Sequence, residues 1–168
     1  NLQQVGYTVV TDPADLRFVI ELTLEFCRRM LRLLEMPVVG AVVRRLVKGA
    51  GRYRRTLHRL IDEYDREGRD RVLRGAPALI LIHAPAKSRF GAIDCQLAYQ
   101  NASLMAEALG VSQIYTGFVL AASRGGRMKR LVRRFGIAGR VHAGMALGMP
   151  EFLFPNRIDK KPLDAVRR

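Results

Sequence analysis

Residues 94–118 read DCQLAYQNASLMAEALGVSQIYTGF, and this stretch decides the fold. Asp94 is a suitable helix N-cap, apolar and small residues follow it at helical spacing, and Gly110 stands where many helices end. Glu107 is the only charged residue between those two ends. The stretch therefore predicts a central helix that other elements cover on nearly all sides.

After this helix the chain shows a strand pattern and then a glycine turn. The short apolar run Val111–Tyr115 predicts a strand, and Thr116-Gly117-Phe118 follows it directly. Because glycine has no Cβ, a ligand can approach the backbone at Gly117 more closely than at other residues. The turn is thus a candidate cofactor contact, and an ordinary strand-to-helix turn is the alternative.

The rest of the chain alternates between strand and helix patterns. Further strands are predicted at 5–10, 78–84 and 141–147, and helices at 16–34, 42–47, 57–64 and 128–135. Gly40 falls in an expected break between the first two of these helices, and the strand at 78–84 is the expected sheet centre. No repeat or domain boundary is visible. We therefore predict a single domain over 1–168, with a helical insertion at about 16–72 and a C-terminal arm at 148–168.

Composition limits the class of protein. The 168 residues are 49% hydrophobic, which suits one globular domain whose core needs no disulfide. Cys27 and Cys95 lie among apolar neighbours, so we expect buried, reduced thiols and a cytoplasmic location. No apolar run approaches the ~20 residues of a membrane span, and we expect no membrane partner. The chain starts at Asn1 and leads directly into a strand pattern, so we expect a further segment upstream.

The net charge of +14 introduces a second class of function, which is binding to nucleic acid. The excess lies in two clusters of basic residues, one at 44–59 and one at 124–140. Both clusters fall in amphipathic helical patterns, which favours solvated polar faces. Few aromatic residues are interspersed with the cations, which argues against a stacking platform for single strands. A nucleic-acid-binding module is therefore the less favoured alternative.

Most catalytic side-chain constellations are absent from the sequence. It has no Gly-x-Ser-x-Gly elbow, no phosphate-binding Gly-Lys-Ser/Thr loop and no His/Cys cluster at metal-ligand spacing. His58 lies among arginines, and His83 and His142 lie in strand patterns typical of core or edge histidines. We therefore predict no metal site and no catalytic side chain. Chemistry supplied by a bound cofactor needs no such constellation.

Three segments together resemble the nitroreductase family of FMN-dependent oxidoreductases. They are Arg74–Ile80 (RGAPALI), the central stretch 94–118, and Ala146–Pro150 (ALGMP). The first residues, Asn-Leu-Gln at 1–3, are similar to that family's flavin-contacting Ser-x-x-Asn-x-Gln-Pro segment, with Gln4 in place of the proline. The helical insertion and the Arg-Gly-Ala-Pro element are most similar to the branch whose members often carry an upstream ferredoxin-type iron–sulfur domain.

The resemblance implies an α+β fold in which helices flank a central mixed or antiparallel sheet, and a homodimer that exchanges its C-terminal arms. It implies FMN at the dimer interface, with NAD(P)H, ferredoxin or an upstream iron–sulfur domain as the electron donor. A small organic acceptor such as a nitroaromatic or a quinone would receive the reducing equivalents. The family's N-terminal Arg-x-Ser-x-Arg element has no counterpart, because the chain starts after it.

The resemblance also implies which residues contact FMN. The implied set is Asn1, Gln3, Arg71, Arg74, Thr116, Gly117, Arg157, Lys160 and Lys161. Thr116 and Gly117 match the turn whose backbone amide faces flavin N5. The arginines at 71 and 74 fall near the contact to the pyrimidine edge, where a cation stabilises the charge of the reduced ring. The three basic residues of the C-terminal arm match the phosphate contact, and their spacing leaves open which lysine makes it.

Three hypotheses from different classes follow. An FMN-dependent oxidoreductase is the favoured one, its competitor is a basic nucleic-acid-binding module, and the third is a flavin-binding protein without turnover, which shares a flavin spectrum with the first. The visible spectrum of the purified protein separates the two flavin-binding hypotheses from the nucleic-acid-binding module.

Overall fold

A computed structural model describes residues 4–124 and 126–152. In chain order its elements are β1 (Gly6–Val10), α1 (Pro13–Glu35), α2 (Pro37–Leu46), α3 (Ala50–Glu67), β2 (Ala78–Ala84), α4 (Gly91–Ala108), β3 (Ser112–Tyr115), α5 (Gly117–Ala122), α6 (Gly126–Phe135) and β4 (Arg140–Gly148). The chain is therefore α+β, with three consecutive helices between its first two strands. No helix within these ranges is both long and apolar enough to cross a membrane.

The four strands form one antiparallel sheet in the order β1-β2-β4-β3. β2 pairs with both β1 and β4, which confirms that residues 78–84 run through the interior of the sheet. β3 is an edge strand, with Ser112 opposite Gly148 and Tyr115 opposite Met145. The turn that follows Tyr115 therefore lies beside the middle of β4.

Alternation along β2 separates two apolar layers. Leu79 and Leu81 belong to the larger core, together with buried residues of α1, α3 and α6. Ile82 and Ala84 belong to a second cluster, in which they pack with Cys95 of α4. Because successive side chains of a strand point to opposite faces, α1 and α4 lie on opposite sides of the sheet.

Short-range signals explain several helix ends. The Asp12 carboxylate accepts hydrogen bonds from Ala14 N and Asp15 N at 2.8 and 3.0 Å, which fixes the start of α1. Gly110 follows the end of α4 with a φ of 70°, in the left-handed region that glycine adopts without strain. The predicted end of the central helix is thus confirmed.

Two predicted boundaries are wrong. α4 begins at Gly91, so Asp94 lies in its first turn rather than at its N-cap, although a carboxylate still suits that end of the helix dipole. Gly40 was expected to break the chain between two helices, yet it lies inside α2, which starts at Pro37. Gly40 is buried.

The central helix is less covered than its sequence predicts. Cys95 and Ala106 are buried, whereas Leu97 and Leu104 are each 61% exposed. The expectation of cover on nearly all sides is wrong for the single chain, because the strands that pack on α4, namely β2, β3 and β4, belong to one sheet. The opposite side of α4 is an apolar surface.

Candidate functional site

One backbone hydrogen bond fixes the turn after β3. Thr116 N donates to the Gly144 carbonyl oxygen at 3.1 Å, and the Thr116 carbonyl oxygen accepts from Leu120 N at 3.1 Å, as the first bond of α5. The expected open turn is therefore the beginning of a short helix at Gly117. Since the Thr116 amide is already bonded, the Gly117 amide is the one of the two that lacks an intrahelical partner and can meet a ligand.

Thr116 and Gly144 fit closely against each other. Thr116 is 2% exposed, and its hydroxyl lies 2.6 Å from the position that a Cβ on residue 144 would take. This hydroxyl has no hydrogen-bond partner within the described ranges. Gly144 is a site residue that sequence reasoning missed, and its one local signal is a glycine inside a strand pattern.

Gly117 lacks such an internal constraint. A Cβ there would first meet the Tyr115 ring at 3.6 Å, which is an ordinary van der Waals contact. Gly117 also does not adopt a positive φ. Neither the packing nor the backbone conformation of the chain therefore requires glycine at this position, and the backbone is open to close approach.

A cavity of about 1190 Å³ opens beside Gly117. α5 and α6 supply part of its wall, and the N-terminal part of β4 with the loop before it supplies another part. Among the described residues its lining includes four cations and no carboxylate; the cations are Arg124, Lys129, Arg133 and Arg140. Such a lining attracts anionic groups into the cavity.

The cations of α6 divide between two environments. Arg130 pairs with Glu25 at 2.5 Å and Arg134 pairs with Asp15 at 2.6 Å, which holds α6 on α1. Lys129 and Arg133 line the cavity instead. The second basic cluster is thus part ion-pair contact with α1 and part cavity wall, and these four cations stay exposed to solvent.

A β-bulge lies in the wall formed by β4. Ile82 is opposite Ala143 and His83 is opposite Val141, so His142 is an extra residue in β4. His142 is one of the residues that line the cavity. Burial, and to a lesser degree the charge of Arg140, lower the pKa of His142 below its ordinary value, so the imidazole is neutral at pH 7.

α4 connects this bulge to the turn. Gln96 Nε2 donates to the His142 carbonyl oxygen at 2.7 Å and lies 3.4 Å from the Tyr115 hydroxyl. Further along the helix, the Tyr99 hydroxyl donates to Gln113 Oε1 of β3 at 2.7 Å. These contacts fix the positions of β3, which leads into the turn, and of the bulge, and both the turn and the bulge contribute residues to the cavity lining.

Arg71 and Arg74 lie in the loop before β2. The Asp70 carboxylate organises this loop by accepting hydrogen bonds from three of its backbone amides at 2.8 to 3.0 Å. The Arg71 guanidinium is paired with Glu63, while Arg74 is exposed and has a left-handed φ of 57°. Neither arginine lines the cavity beside Gly117. The single chain therefore does not bring these two predicted contacts together with the turn.

The remaining predicted contacts lie outside the described residues. They are Asn1, Gln3, Arg157, Lys160 and Lys161. Their roles stay predictions.

The site described above contains neither a metal-binding group nor a cysteine nucleophile. Within residues 4–124 and 126–152 no group of three or more His, Cys, Asp or Glu could hold a metal ion. Cys27 and Cys95 are free and buried, as expected, and burial raises the pKa of each thiol to about 11. Neither cysteine is therefore a thiolate at neutral pH.

Comparison with known proteins identifies the fold. A nitroreductase with bound FMN from Bacteroides fragilis NCTC 9343 has a TM-score of 0.65 at 16% identity, with 100% of this chain and 78% of that chain covered. A nitroreductase with bound FMN from Desulfitobacterium hafniense DCB-2 has a TM-score of 0.65 at 18% identity, with 95% and 73% covered. The NADPH:FMN oxidoreductase from Vibrio harveyi complexed with NAD+ has a TM-score of 0.51 at 15% identity, with 97% and 63% covered. Among curated proteins no match to the sequence is found.

These low identities make the structural likeness a statement about fold alone. The sequence itself carries the stronger result, because the profile of the nitroreductase family matches residues 1–149. That match includes the central helix, the Thr116-Gly117 turn and the whole sheet. This chain belongs to the nitroreductase family.

Proposed function

We propose that this protein is an FMN-dependent oxidoreductase that passes reducing equivalents from a pyridine nucleotide to a small organic acceptor. Its membership of the nitroreductase family makes it a flavin oxidoreductase. The observation that carries the more specific proposal is Gly117, a glycine that the chain's own packing does not require and that lines a cation-lined cavity.

The residues around the turn fit a flavin. Gly117 offers close approach and a backbone N–H that its own helix does not use. FMN, when bound, would supply the hydride and electron chemistry that no described side chain supplies. The role of the protein is to bind and orient FMN. The Gly117 amide donates a hydrogen bond to the flavin, and Gln96 holds the bulge of β4 in place.

The cavity also suits an anionic reductant. Lys129 and Arg133 of α6 and Arg140 of β4 present positive charge, and no carboxylate from the described part of the chain lines the cavity with them. Phosphate groups are recognised by such cations. We assign the phosphates of a pyridine nucleotide to these three residues. Ferredoxin or an upstream iron–sulfur domain is the alternative donor.

A second copy of the chain completes the proposed site. The exposed side of α4 carries Leu97, Leu104 and Met105, which is an unusual amount of apolar surface for one helix of a monomer. We propose that two chains associate through this side of α4 as a homodimer. The contacts expected from the first residues and from the C-terminal arm would then reach the flavin within the dimer.

The visible spectrum of the purified protein, before and after reconstitution with FMN, tests the function. We expect a flavin band that NADPH or NADH bleaches under anaerobic conditions and that a nitroaromatic or quinone restores. A stable flavin band that neither a pyridine nucleotide nor ferredoxin bleaches would indicate flavin binding without turnover. A colourless protein that takes up no FMN, with a nucleic-acid affinity that falls steeply with salt, would indicate the binding module.

A paired variant tests the assignment of the cavity. Lys129→Gln with Arg133→Gln should raise the KM for the pyridine nucleotide by about tenfold while kcat for a saturating reductant changes little, because binding rather than chemistry is weakened. Arg17→Gln with Arg29→Gln on α1 removes the same charge away from the cavity and is the matched control. Equal effects of the two pairs would contradict the assignment.

A further inference from the structure

Helix α2 presents an exposed apolar stripe that the proposed function does not use. Val38, Val42 and Leu46 are spaced four residues apart, so they lie along one side of the helix. They are 76%, 50% and 77% exposed. The opposite side of α2 carries buried Gly40 and Val43, which packs against the larger core. The stripe is therefore the outward side of a helix that is already docked.

All lysine, arginine, aspartate and glutamate residues of the segment that contains this stripe are basic ones. Between Glu35 and Asp62 the chain has seven lysines and arginines and no carboxylate; the cations are Arg44, Arg45, Lys48, Arg52, Arg54, Arg55 and Arg59. Arg45 lies seven residues after Val38 and therefore on the same side of α2, and Lys48 lies in the turn that follows. Both side chains are exposed and have no ion pair with any described residue.

We call Val38, Val42, Arg45, Leu46 and Lys48 the α2 patch. It lies on the far side of the molecule from the apolar side of α4. α2 packs on α1 and α3, whereas α4 packs on β2, β3 and β4 from the other face of the sheet. A dimer formed through α4 therefore leaves the α2 patch open.

Contrary to the expectation of no membrane partner, which rested on the absence of a spanning segment, we propose that the α2 patch docks the protein on the surface of an anionic phospholipid bilayer. Apolar side chains flanked by lysine and arginine are the arrangement that binds the boundary between headgroups and acyl chains, where the apolar atoms leave water and the cations meet lipid phosphates. A nucleic acid would engage the cations but would gain nothing from three exposed aliphatic side chains. The apolar stripe is therefore what favours a lipid surface over a phosphate backbone.

The direct test is cosedimentation of the full-length chain with vesicles, which needs no bound flavin. One set of vesicles is pure phosphatidylcholine, and the other contains about one third phosphatidylglycerol at an ionic strength near 0.1 M. We expect binding to the anionic vesicles and none to the neutral ones. No binding to anionic vesicles, or binding to a DNA duplex alone, would overturn the proposal.

Two variants separate the apolar and the ionic parts of the patch. Val38→Ser with Leu46→Ser, and Arg45→Glu with Lys48→Glu, should each weaken vesicle binding by at least about tenfold. Arg17→Glu with Arg29→Glu on α1 changes the net charge as much as the second variant and should change binding less than about threefold. Thermal unfolding confirms that each variant is folded.

Three results would contradict this assignment. If the α1 control lost as much binding as the α2 variants, overall charge rather than the patch would attract the vesicles. If the serine variant bound as the natural chain does, the apolar stripe would have no contact with lipid. If the α2 variants changed the oligomeric state in sedimentation, a second copy of the chain would be the occupant of the patch.

Discussion

The Thr116 amide donates to the Gly144 carbonyl oxygen at 3.1 Å, and the Thr116 hydroxyl lies 2.6 Å from where a Cβ on residue 144 would stand. The turn that begins α5 is therefore attached to β4 at a point where β4 has no side chain. The position of Gly117, one residue further, depends on this contact.

Gly144→Ala should displace the turn. The new methyl group would overlap the Thr116 hydroxyl and lie 3.3 Å from the Ile80 carbonyl oxygen, so the substitution overpacks the sheet. We expect a loss of about 1–3 kcal/mol in the free energy of unfolding, together with weaker FMN binding. Urea unfolding and flavin titration measure the two effects.

The double variant Gly144→Ala with Thr116→Ala is the control for this contact. Removing the hydroxyl makes room for the new methyl group, so part of the lost stability should return. A Gly144→Ala protein with unchanged stability and unchanged flavin affinity would show that the turn does not depend on this contact.

Gly117→Val should weaken FMN binding without lowering the stability of the fold. Because a Cβ at residue 117 meets only ordinary contacts, the melting temperature should stay close to that of the natural chain. A branched side chain would nevertheless obstruct a ring that approaches the backbone, so FMN affinity should fall by at least about tenfold. Gly126→Val, at the first residue of α6 and with open space around its Cβ, is a matched glycine at another helix start. Full flavin occupancy of Gly117→Val would remove the turn from the site.

The sequence was most informative where the relevant interactions are local. The periodicity of α1 and the apolar run of β2 depend on neighbours within one element, and both elements were predicted. α5 was missed because its six residues make fewer than two turns and its N-cap makes no side-chain hydrogen bond.

Other features depend on residues that are distant in sequence. Leu97 and Leu104 indicate that one side of α4 avoids water, but an apolar residue does not specify whether its own chain or another covers it. The cation-lined cavity arises because α6 and the start of β4 approach each other, which spacing within either element does not record. Gly144 owes its role to Thr116, which lies 28 residues earlier.

The apolar side of α4 predicts the oligomeric state. Leu104→Lys places a charge in the proposed dimer interface and should convert a dimer into a monomer in sedimentation velocity experiments. FMN affinity should fall with it, because binding that needs both chains is linked to their association. Leu46→Lys on α2 introduces the same residue at an equally apolar, exposed position and should leave the dimer intact. A dimeric Leu104→Lys protein would place the interface elsewhere.

Glu63 and its arginine partners predict how stability depends on pH. Hydrogen bonds from Arg71 and from Arg59, the latter at 2.7 Å, lower the pKa of Glu63 from its ordinary value of 4.5 to about 2. The unfolded chain therefore takes up a proton on this carboxylate at a higher pH than the folded chain does. The contribution of Glu63 to stability is fully present above about pH 4.5, and it is lost as the pH falls towards 2.

Glu63→Gln tests this linkage by removing the titrating group. The variant should be less stable than the natural chain at pH 7, and its free energy of unfolding should fall less steeply between pH 4.5 and 2. Asp62→Asn on the same helix, at an exposed carboxylate without an ion pair in the described residues, should keep the natural slope. Unfolding in urea at a series of pH values measures both. An unchanged slope in Glu63→Gln would mean that Arg71 and Arg59 do not hold the Glu63 carboxylate in the folded chain, and Arg71 would then be free to meet a ligand.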